Sequence, residues 1–189
     1  MAYHKENLKE RLVEIAWEIC GAEPWQNVNM RRVAEKAGVS TTAFYRHFKN
    51  KDDLKAELMR KGFLLMSESR KNLNIKGNFA SYGAHIIRFG LEYPYLYDLM
   101  FADRAVDTSL YPDLKAMRKA AFDSIVEGVK ATSSDKSERE SMLKAYNIWA
   151  SVKGLLEILR SSTLQEDKSE TLEWIEQNLE EYLKITTFR

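Results

Sequence analysis

Four side chains within one short segment carry groups that could bind a nucleic acid. Thr41 and Thr42 offer small hydroxyl and methyl groups, Tyr45 offers a phenol and Arg46 a guanidinium. If the segment is helical, these four lie on its outer face, since Phe44 belongs to the inner one. Hydroxyl and methyl groups of this kind can contact base edges and thymine methyls, while phenols and guanidiniums can donate to phosphates. The segment is therefore predicted to be a helix that enters a DNA groove.

A preceding helix and a tight turn are predicted to hold this helix in place. Asn29 and Ser40 are residue types that cap helix N-termini, so we expect each to precede a helix. Gly38 allows the positive φ that ends a helix. Together these signals predict a helix-turn-helix over about residues 29–48. Its inner side is apolar at helical spacing and comprises Met30, Val33, Ala34, Ala37, Val39, Phe44 and Phe48.

This pattern resembles the helix-turn-helix of the tetracycline-repressor (TetR) family of transcriptional regulators. The matching positions carry the family's residue types at fixed spacing, and they are Val33-Ala34, Ala37-Gly38-Val39-Ser40, Phe44-Tyr45, His47-Phe48, Lys51 and Leu54. The close resemblance covers about residues 6–60 and is architectural beyond them. It implies a regulator that binds double-stranded operator DNA, usually as a repressor, and that responds to a small-molecule effector.

The resemblance also implies roles for individual side chains. Arg31 matches a position that reaches the groove, where a guanidinium could grip a guanine, although a phosphate contact or a solvated arginine is an equally good interpretation. Ala43 matches a base-facing position and offers only a methyl. Phosphate contacts are implied for Tyr45, His47 and Lys51, all of which can donate a hydrogen bond, with packing as the alternative for His47. The set predicted to bind DNA is Arg31, Ser40, Thr41, Thr42, Ala43, Tyr45, Arg46, His47 and Lys51.

Apolar positions at helical spacing continue along the chain, without the alternation or hairpin signals of strands. We therefore predict an all-α fold of about nine helices. The resemblance implies two domains, a three-helix DNA-binding domain with the helix-turn-helix over residues 1–55, and a helical ligand-binding and dimerisation domain over residues 56–189. Gly62, close to this boundary, is interpreted either as a hinge or as a site of close packing.

The second predicted domain is rich in aromatic residues and methionine. In the family, a cavity among the middle helices binds the effector, and binding shifts the equilibrium between conformers that do and do not fit DNA. Core packing is the simpler interpretation of any one of these side chains, but as a set they indicate an effector that is largely apolar or aromatic. The pocket candidates are Met66, Tyr82, Phe89, Tyr97, Met100, Phe101, Phe122, Tyr146 and Trp149.

The last two predicted helices could join two copies of the chain. The eighth, over about residues 137–161, is apolar on two sides, and the ninth, over about residues 169–184, is amphipathic. A helix that is apolar on two sides must be covered on both, so we expect these helices to pair with their copies in a homodimer. A central core helix is the alternative for the eighth. The predicted interface residues are Ile148, Val152, Leu155, Leu159, Leu172, Ile175 and Leu179.

Two further stretches resemble a recurrent C-terminal domain type of the family. They are residues 93–101, with the letters YPYLYDLMF, and residues 149–155, with the letters WASVKGL. That domain type carries a Trp-x-x-x-His-Gly pattern. Here Lys153 stands where the histidine would be, so the role of that histidine is not carried over.

Composition sets broad limits on the class of protein. Hydrophobic residues make up 44% and charged residues 30% of the chain, a balance typical of soluble proteins, and the sequence contains no apolar run of membrane-spanning length. The net charge is +1, with the basic excess in residues 1–61. The one cysteine, Cys20, cannot form an internal disulfide and is predicted to be a buried thiol, which fits a cytoplasmic protein without membrane partners.

Signatures of catalysis are missing from the sequence. Its three histidines lack metal-ligand spacing, and it contains no nucleophile elbow, phosphate loop or dinucleotide fingerprint. Neither an enzyme nor a bound cofactor or metal is therefore predicted. Two alternatives remain: a helical small-molecule-binding or adaptor protein that has lost specific DNA binding, and an architectural protein that binds DNA without discriminating between sequences.

Overall fold

The fold is all-α, as predicted. The computed structural model describes residues 3–71, 79–101, 106–107, 109–131, 137–162, 164 and 169–187. Within these ranges the helices are α1 (Tyr3–Ala22), α2 (Met30–Lys36), α3 (Thr41–Tyr45), α4 (Lys51–Lys71), α5 (Phe79–Glu92), α6 (Pro94–Phe101), α7 (Pro112–Ala131), α8 (Glu138–Arg160), α9 (Glu170–Gln177) and α10 (Leu179–Thr186). A short 3₁₀ turn, Trp25–Asn27, follows α1. None of the described helices is both long enough and apolar enough to cross a bilayer.

Polar side chains cap the N-termini of helices, at the predicted Asn29 and also at Ser137, for which the sequence predicted the first residue of a helix. Asn29 Oδ1 accepts a hydrogen bond from the backbone of Arg32 at 2.8 Å. Ser137 caps α8 in a reciprocal arrangement, in which Glu140 returns a hydrogen-bond acceptor to the Ser137 backbone at 2.8 Å. Each cap satisfies donors that the first turn of a helix leaves unpaired. Both α2 and α8 therefore begin at defined residues.

The described chain divides into two compact units that are not continuous in sequence. Unit one comprises residues 1–65 and 93–115, and unit two comprises residues 66–92 and 116–189. In unit one, α1 packs against both α2 and α6. The unit that contains the helix-turn-helix thus also contains α6 and the first turn of α7. The sequence-based division at residue 55 stays a prediction about function, since it concerns which part binds DNA.

Gly62 lies at a close contact between α4 and α6 inside unit one. A Cβ atom at this position would come within 2.4 Å of the Met100 sulfur. Met100 is fully buried, so its side chain fills the space that the missing Cβ leaves. Of the two interpretations of Gly62, this geometry favours close packing.

Unit two is built around α5, which packs against α8 and α10. One side of α8 contributes to this core. The residues predicted to face a second copy lie on this side of α8 and on α9 and α10. Six of the seven are buried inside the single chain, and Leu172 is half-buried; the six are Ile148, Val152, Leu155, Leu159, Ile175 and Leu179. Within the single chain they are therefore core residues, which agrees with the alternative interpretation of the eighth helix as a central core helix; their contact with a second copy stays a prediction.

The predicted ninth helix is interrupted at Asn178. Here φ is −121° and ψ is 40°, outside the helical range, so that α9 ends and α10 begins. Asn178 Nδ2 donates to the carbonyl of Trp174 at 2.8 Å. The asparagine amide competes for the backbone carbonyls that would continue a helix. Apolar spacing alone does not report such a break, because Ile175 and Leu179 keep the helical interval across it.

Candidate nucleic-acid interface

The turn between α2 and α3 has the geometry that the sequence predicts. Gly38 adopts a φ of 67°, a value that favours glycine. Its amide donates to the carbonyl of Glu35, and the amide of Val39 donates to the carbonyl of Ala34, each at 3.0 Å. These bonds satisfy carbonyls at the end of α2. They also fix the direction in which the chain leaves α2 and enters α3.

The candidate recognition helix, α3, has a capped N-terminus and a buried inner side, and its outer side is exposed. Ser40 Oγ accepts from the backbone of Ala43 at 3.2 Å, which caps the helix. Phe44 and Phe48 are buried with ring centroids 5.2 Å apart. Because these two rings fix the inner side, the outer side is left exposed, and it presents Thr41, Thr42, Tyr45 and Arg46.

The remaining predicted contacts on this segment differ in accessibility. Ser40 is exposed, whereas Ala43 and His47 are half-buried. The Arg31 side chain on α2 is 80% exposed, and its Nε donates to Glu35 at 2.8 Å. An exposed pair of this kind contributes little to stability and is easily exchanged. Arg31 is therefore free to leave Glu35 for a more strongly charged partner such as DNA.

Lys51 is more constrained than its sequence position suggests. Its Nζ donates to the carbonyl of Trp25 at 3.1 Å and lies 4.7 Å from the centre of the Trp25 ring. A second lysine, Lys55, lies 5.7 Å from the same ring. Burial lowers the pKa of Lys51. The ammonium is thus held in one place at the N-terminus of α4, which is itself favourable for an anion.

An ion pair that the sequence did not reveal links α2 to the end of α1. Arg32 donates two hydrogen bonds to Glu23, at 2.9 and 2.7 Å. The hydrogen bond from Arg32 lowers the pKa of Glu23. Paired bonds of this geometry fix orientation as well as distance. Charge alone could not have identified the pair, since the chain has many Arg and Glu residues at comparable separations.

The predicted pocket residues are distributed between the two compact units. Tyr97, Met100 and Phe101 lie on α6 in unit one, where Tyr97 and Phe101 have ring centroids 4.7 Å apart. Met66, Tyr82, Phe89, Phe122, Tyr146 and Trp149 belong to unit two. Most members of the whole set are buried or half-buried, but Tyr146 is 57% exposed and its ring lies 4.8 Å from that of Phe122. The set as a ligand site stays a prediction.

A capped recognition helix, a glycine turn and an apolar inner side define the class of helix-turn-helix DNA-binding domains. Consistent with this class, residues 12–58 match the family model for bacterial regulatory proteins of the tetR family. The chain therefore carries a TetR-type DNA-binding domain. The matched range includes α2, α3 and the start of α4, where all the predicted DNA-contacting residues lie.

Individual relatives agree with this assignment. The chain is 35% identical over 85 residues to an uncharacterised helix-turn-helix-type transcriptional regulator of Haemophilus influenzae, a match that covers 42% of this chain and 42% of the relative. Among solved structures, the protein SCO4313 has a TM-score of 0.73 at 17% identity, covering 97% of this chain and 98% of the other. AibR, solved with isovaleryl coenzyme A and operator DNA, has a TM-score of 0.61 at 17% identity, covering 93% and 97%. The structural matches extend the shared fold over nearly the whole chain.

Proposed function

We propose that the protein is a sequence-specific transcriptional regulator, a ligand-responsive repressor that binds a palindromic operator as a homodimer. The observation that carries the proposal is the outer face of α3. Its hydroxyl, phenol and guanidinium groups are exposed while its two phenylalanines are buried. This separation makes α3 a rigid support for side chains that contact a groove.

Base reading and backbone contact are assigned to different side chains. Thr41 and Thr42 occupy the first turn of α3, where side chains of a recognition helix meet base edges, and Arg31 offers two donors to a guanine. Tyr45, His47 and Lys51 donate to phosphates, which fix the register without reading sequence. Because His47 is half-buried, it is better placed to contact the phosphate backbone of the DNA at the edge of the groove than to reach the bases.

The homodimer is supported by an exposed apolar face on α8. Leu143, Tyr146 and Ile158 are 61%, 57% and 43% exposed, and the small residues Ala150 and Gly154 lie between them on the same side. Small residues at a spacing of four allow another helix to approach closely. This face is opposite the buried side of α8, so a second copy can cover it without disturbing the core. Two copies would present two recognition helices to successive major grooves, about 34–36 Å apart.

Ligand response is supported by the aromatic and sulfur-containing side chains of the middle helices. A neighbour of the same fold, AibR, was solved with both isovaleryl coenzyme A and operator DNA. For this chain we propose an effector that is largely apolar or aromatic. Its binding would change operator affinity only to the extent that it prefers one conformer over the other.

The experiment is selection of duplex DNA from a random pool by the full chain, followed by titration of the enriched sequence across a salt series. The proposal expects an inverted repeat and an affinity that falls steeply with salt, because phosphate contacts release counterions. A scrambled duplex of equal composition is the control. Failure to bind any duplex at about 50 mM salt refutes the proposal, and equal affinity for the scrambled duplex would leave an architectural protein instead.

A further inference from the structure

One carboxylate joins the exit of the recognition segment to a distant part of unit one. Asp53, in the first turn of α4, accepts a hydrogen bond from the backbone amide of Lys49 at 2.8 Å through Oδ2. Through Oδ1 it accepts a hydrogen bond from the Tyr111 hydroxyl at 2.7 Å. Lys49 follows the buried Phe48 directly. The two carboxylate oxygens of Asp53 thus accept hydrogen bonds from two different donors. One is a backbone amide after α3, and the other is the hydroxyl of a tyrosine 58 residues further along the chain.

Tyr111 is itself fixed at the start of α7. Its carbonyl accepts a hydrogen bond from the amide of Lys115 at 3.2 Å, and Pro112 begins the helix with its φ already restricted. Arg60 reinforces this placement, since its guanidinium lies 5.9 Å from the centre of the Tyr111 ring and pairs with Asp113. The Tyr111 hydroxyl is therefore presented to Asp53 from a rigid support.

We propose that Tyr111 is a positioning residue for DNA binding, which holds the backbone at Lys49 in place through its hydrogen bond to Asp53. This inference rests on the proposed function. His47 and Lys51 lie on either side of Lys49, so a shift of this backbone moves two predicted phosphate contacts together. Without the phenol, the Asp53 carboxylate keeps one anchor and can turn away from the Lys49 amide toward water.

The electrostatics of the pair agree with the geometry. The Tyr111 hydrogen bond is the largest influence that lowers the pKa of Asp53. Burial, with the hydrogen bond to Asp53 next, raises the pKa of Tyr111 to about 12. At neutral pH the phenol is therefore protonated and the carboxylate ionised, which is the combination that donates a charge-assisted hydrogen bond.

The test compares operator binding by the unmodified protein, Tyr111→Phe and Tyr95→Phe. Phenylalanine at position 111 keeps the ring beside Arg60 and removes the hydroxyl. We expect the operator dissociation constant to rise about tenfold, the scale of a hydrogen bond to a charged group. Tyr95→Phe removes a phenol in the same unit for which the described residues show no hydrogen bond, and we expect no change. Circular dichroism confirms that each variant is folded at the assay temperature.

Two further measurements separate positioning from a general loss of stability. In an Asp53→Ala background, Tyr111→Phe should have no additional effect on operator affinity, since the bond is already missing. In the free protein, Tyr111→Phe should shift the NMR resonance of the Lys49 amide, and Tyr95→Phe should not. A substitution that only lowers the melting temperature would produce neither this dependence on Asp53 nor a shift of the Lys49 amide resonance.

The possible results distinguish the proposed role of Tyr111 from the proposed function of the protein. Equal operator affinity of the unmodified protein and Tyr111→Phe overturns the inference and leaves the proposed function intact. The same is true if Tyr111→Phe still weakens binding tenfold in the Asp53→Ala background, because the effect then does not pass through Asp53. If the unmodified protein binds no palindromic duplex, the proposed function fails and this inference fails with it.

Discussion

Thr42 and Tyr45 lie one turn apart on the exposed side of α3, and their chemistry separates their proposed roles. Thr42→Val keeps the shape and a methyl group but removes the hydroxyl that could contact a base edge. We expect this change to relax sequence preference, reducing discrimination at one operator position by about 1–3 kcal/mol. Competition titrations with single-base operator variants measure it. Unchanged discrimination at every position would remove Thr42 from the base-reading set.

Tyr45→Phe is the matched change on the same helix. Tyr45 is 48% exposed, and its ring packs edge-on against Phe44 at 5.7 Å, so phenylalanine preserves the packing. Loss of a phosphate contact should weaken binding to specific and scrambled duplexes by the same factor. Parallel titrations of both duplexes check this expectation. A loss confined to the specific duplex would instead assign Tyr45 to base reading.

The thiol of Cys20 is expected to react slowly in the folded protein. The side chain is fully buried, and burial raises the pKa of the thiol to about 11, so at pH 8 only about one molecule in a thousand carries the reactive thiolate. We expect a disulfide-exchange reagent to react far more slowly with the native protein than with the guanidinium-unfolded protein, which serves as the control. The absorbance of the released thiol follows the reaction. Equal rates in the two states would show that Cys20 is accessible.

The sequence sufficed to predict which residues cap helices and which are buried. It did not predict which residues that are distant in sequence contact each other. Asn29, Ser40 and Gly38 act through their immediate neighbours, so sequence sufficed for them. The contact of Lys51 with Trp25 and that of Asp53 with Tyr111 depend on how distant helices meet. Nothing in the local spacing of either pair encodes that meeting.

At the scale of helices, the close approach of α4 and α6 depends on a single missing methyl group. Gly62→Ala would place a Cβ atom 2.4 Å from the Met100 sulfur, so we expect a loss of about 1–3 kcal/mol in the free energy of unfolding through overpacking. Gly21→Ala is the control, because a Cβ atom at that position would meet nothing within 4 Å. It should leave stability unchanged or raise it by up to about 1 kcal/mol.

Urea unfolding followed by circular dichroism, at matched protein concentration, measures both glycine variants. Similar stability of Gly62→Ala and the unmodified protein would mean that Met100 moves aside without cost, and that the contact does not constrain the two helices.

Helix positions followed from apolar spacing and capping residues, with the exception of the C-terminal pair. The break at Asn178 is a local competition between a side-chain amide and the backbone, which the apolar positions do not register. For α8 the sequence left two interpretations open, a contact between copies and a central core helix, and the buried side found within the single chain agrees with the second. The two apolar sides of α8 are similar in sequence, and only the placement of α5 decides which of them is buried.

At the scale of the whole molecule, the proposed homodimer depends on the exposed side of α8. Ala150→Glu places a charge at the centre of that face, where pairing with a second copy would bury it without a partner. We expect the variant to be folded but monomeric. Leu110→Glu is the control, because Leu110 is 71% exposed and lies in unit one.

Analytical ultracentrifugation distinguishes one chain from two, and the same samples can be titrated with operator. The monomeric variant should bind the full operator more weakly and lose the advantage of the second half-site. If Ala150→Glu remains dimeric, the exposed side of α8 is not the contact between copies.

The discontinuity of unit one has a consequence for synthesis. Residues 1–65 leave the ribosome before residues 93–115, which complete the unit and include the α6 helix that packs on α1. Since domains fold as they emerge, the contact of α1 with α6 can form only after residues 93–101 have been synthesised. Until then, the surfaces of α1 and α4 that contact α6 are uncovered on the nascent chain. A fragment that ends at residue 55 would lack α6 and would leave the surface of α1 that contacts it uncovered.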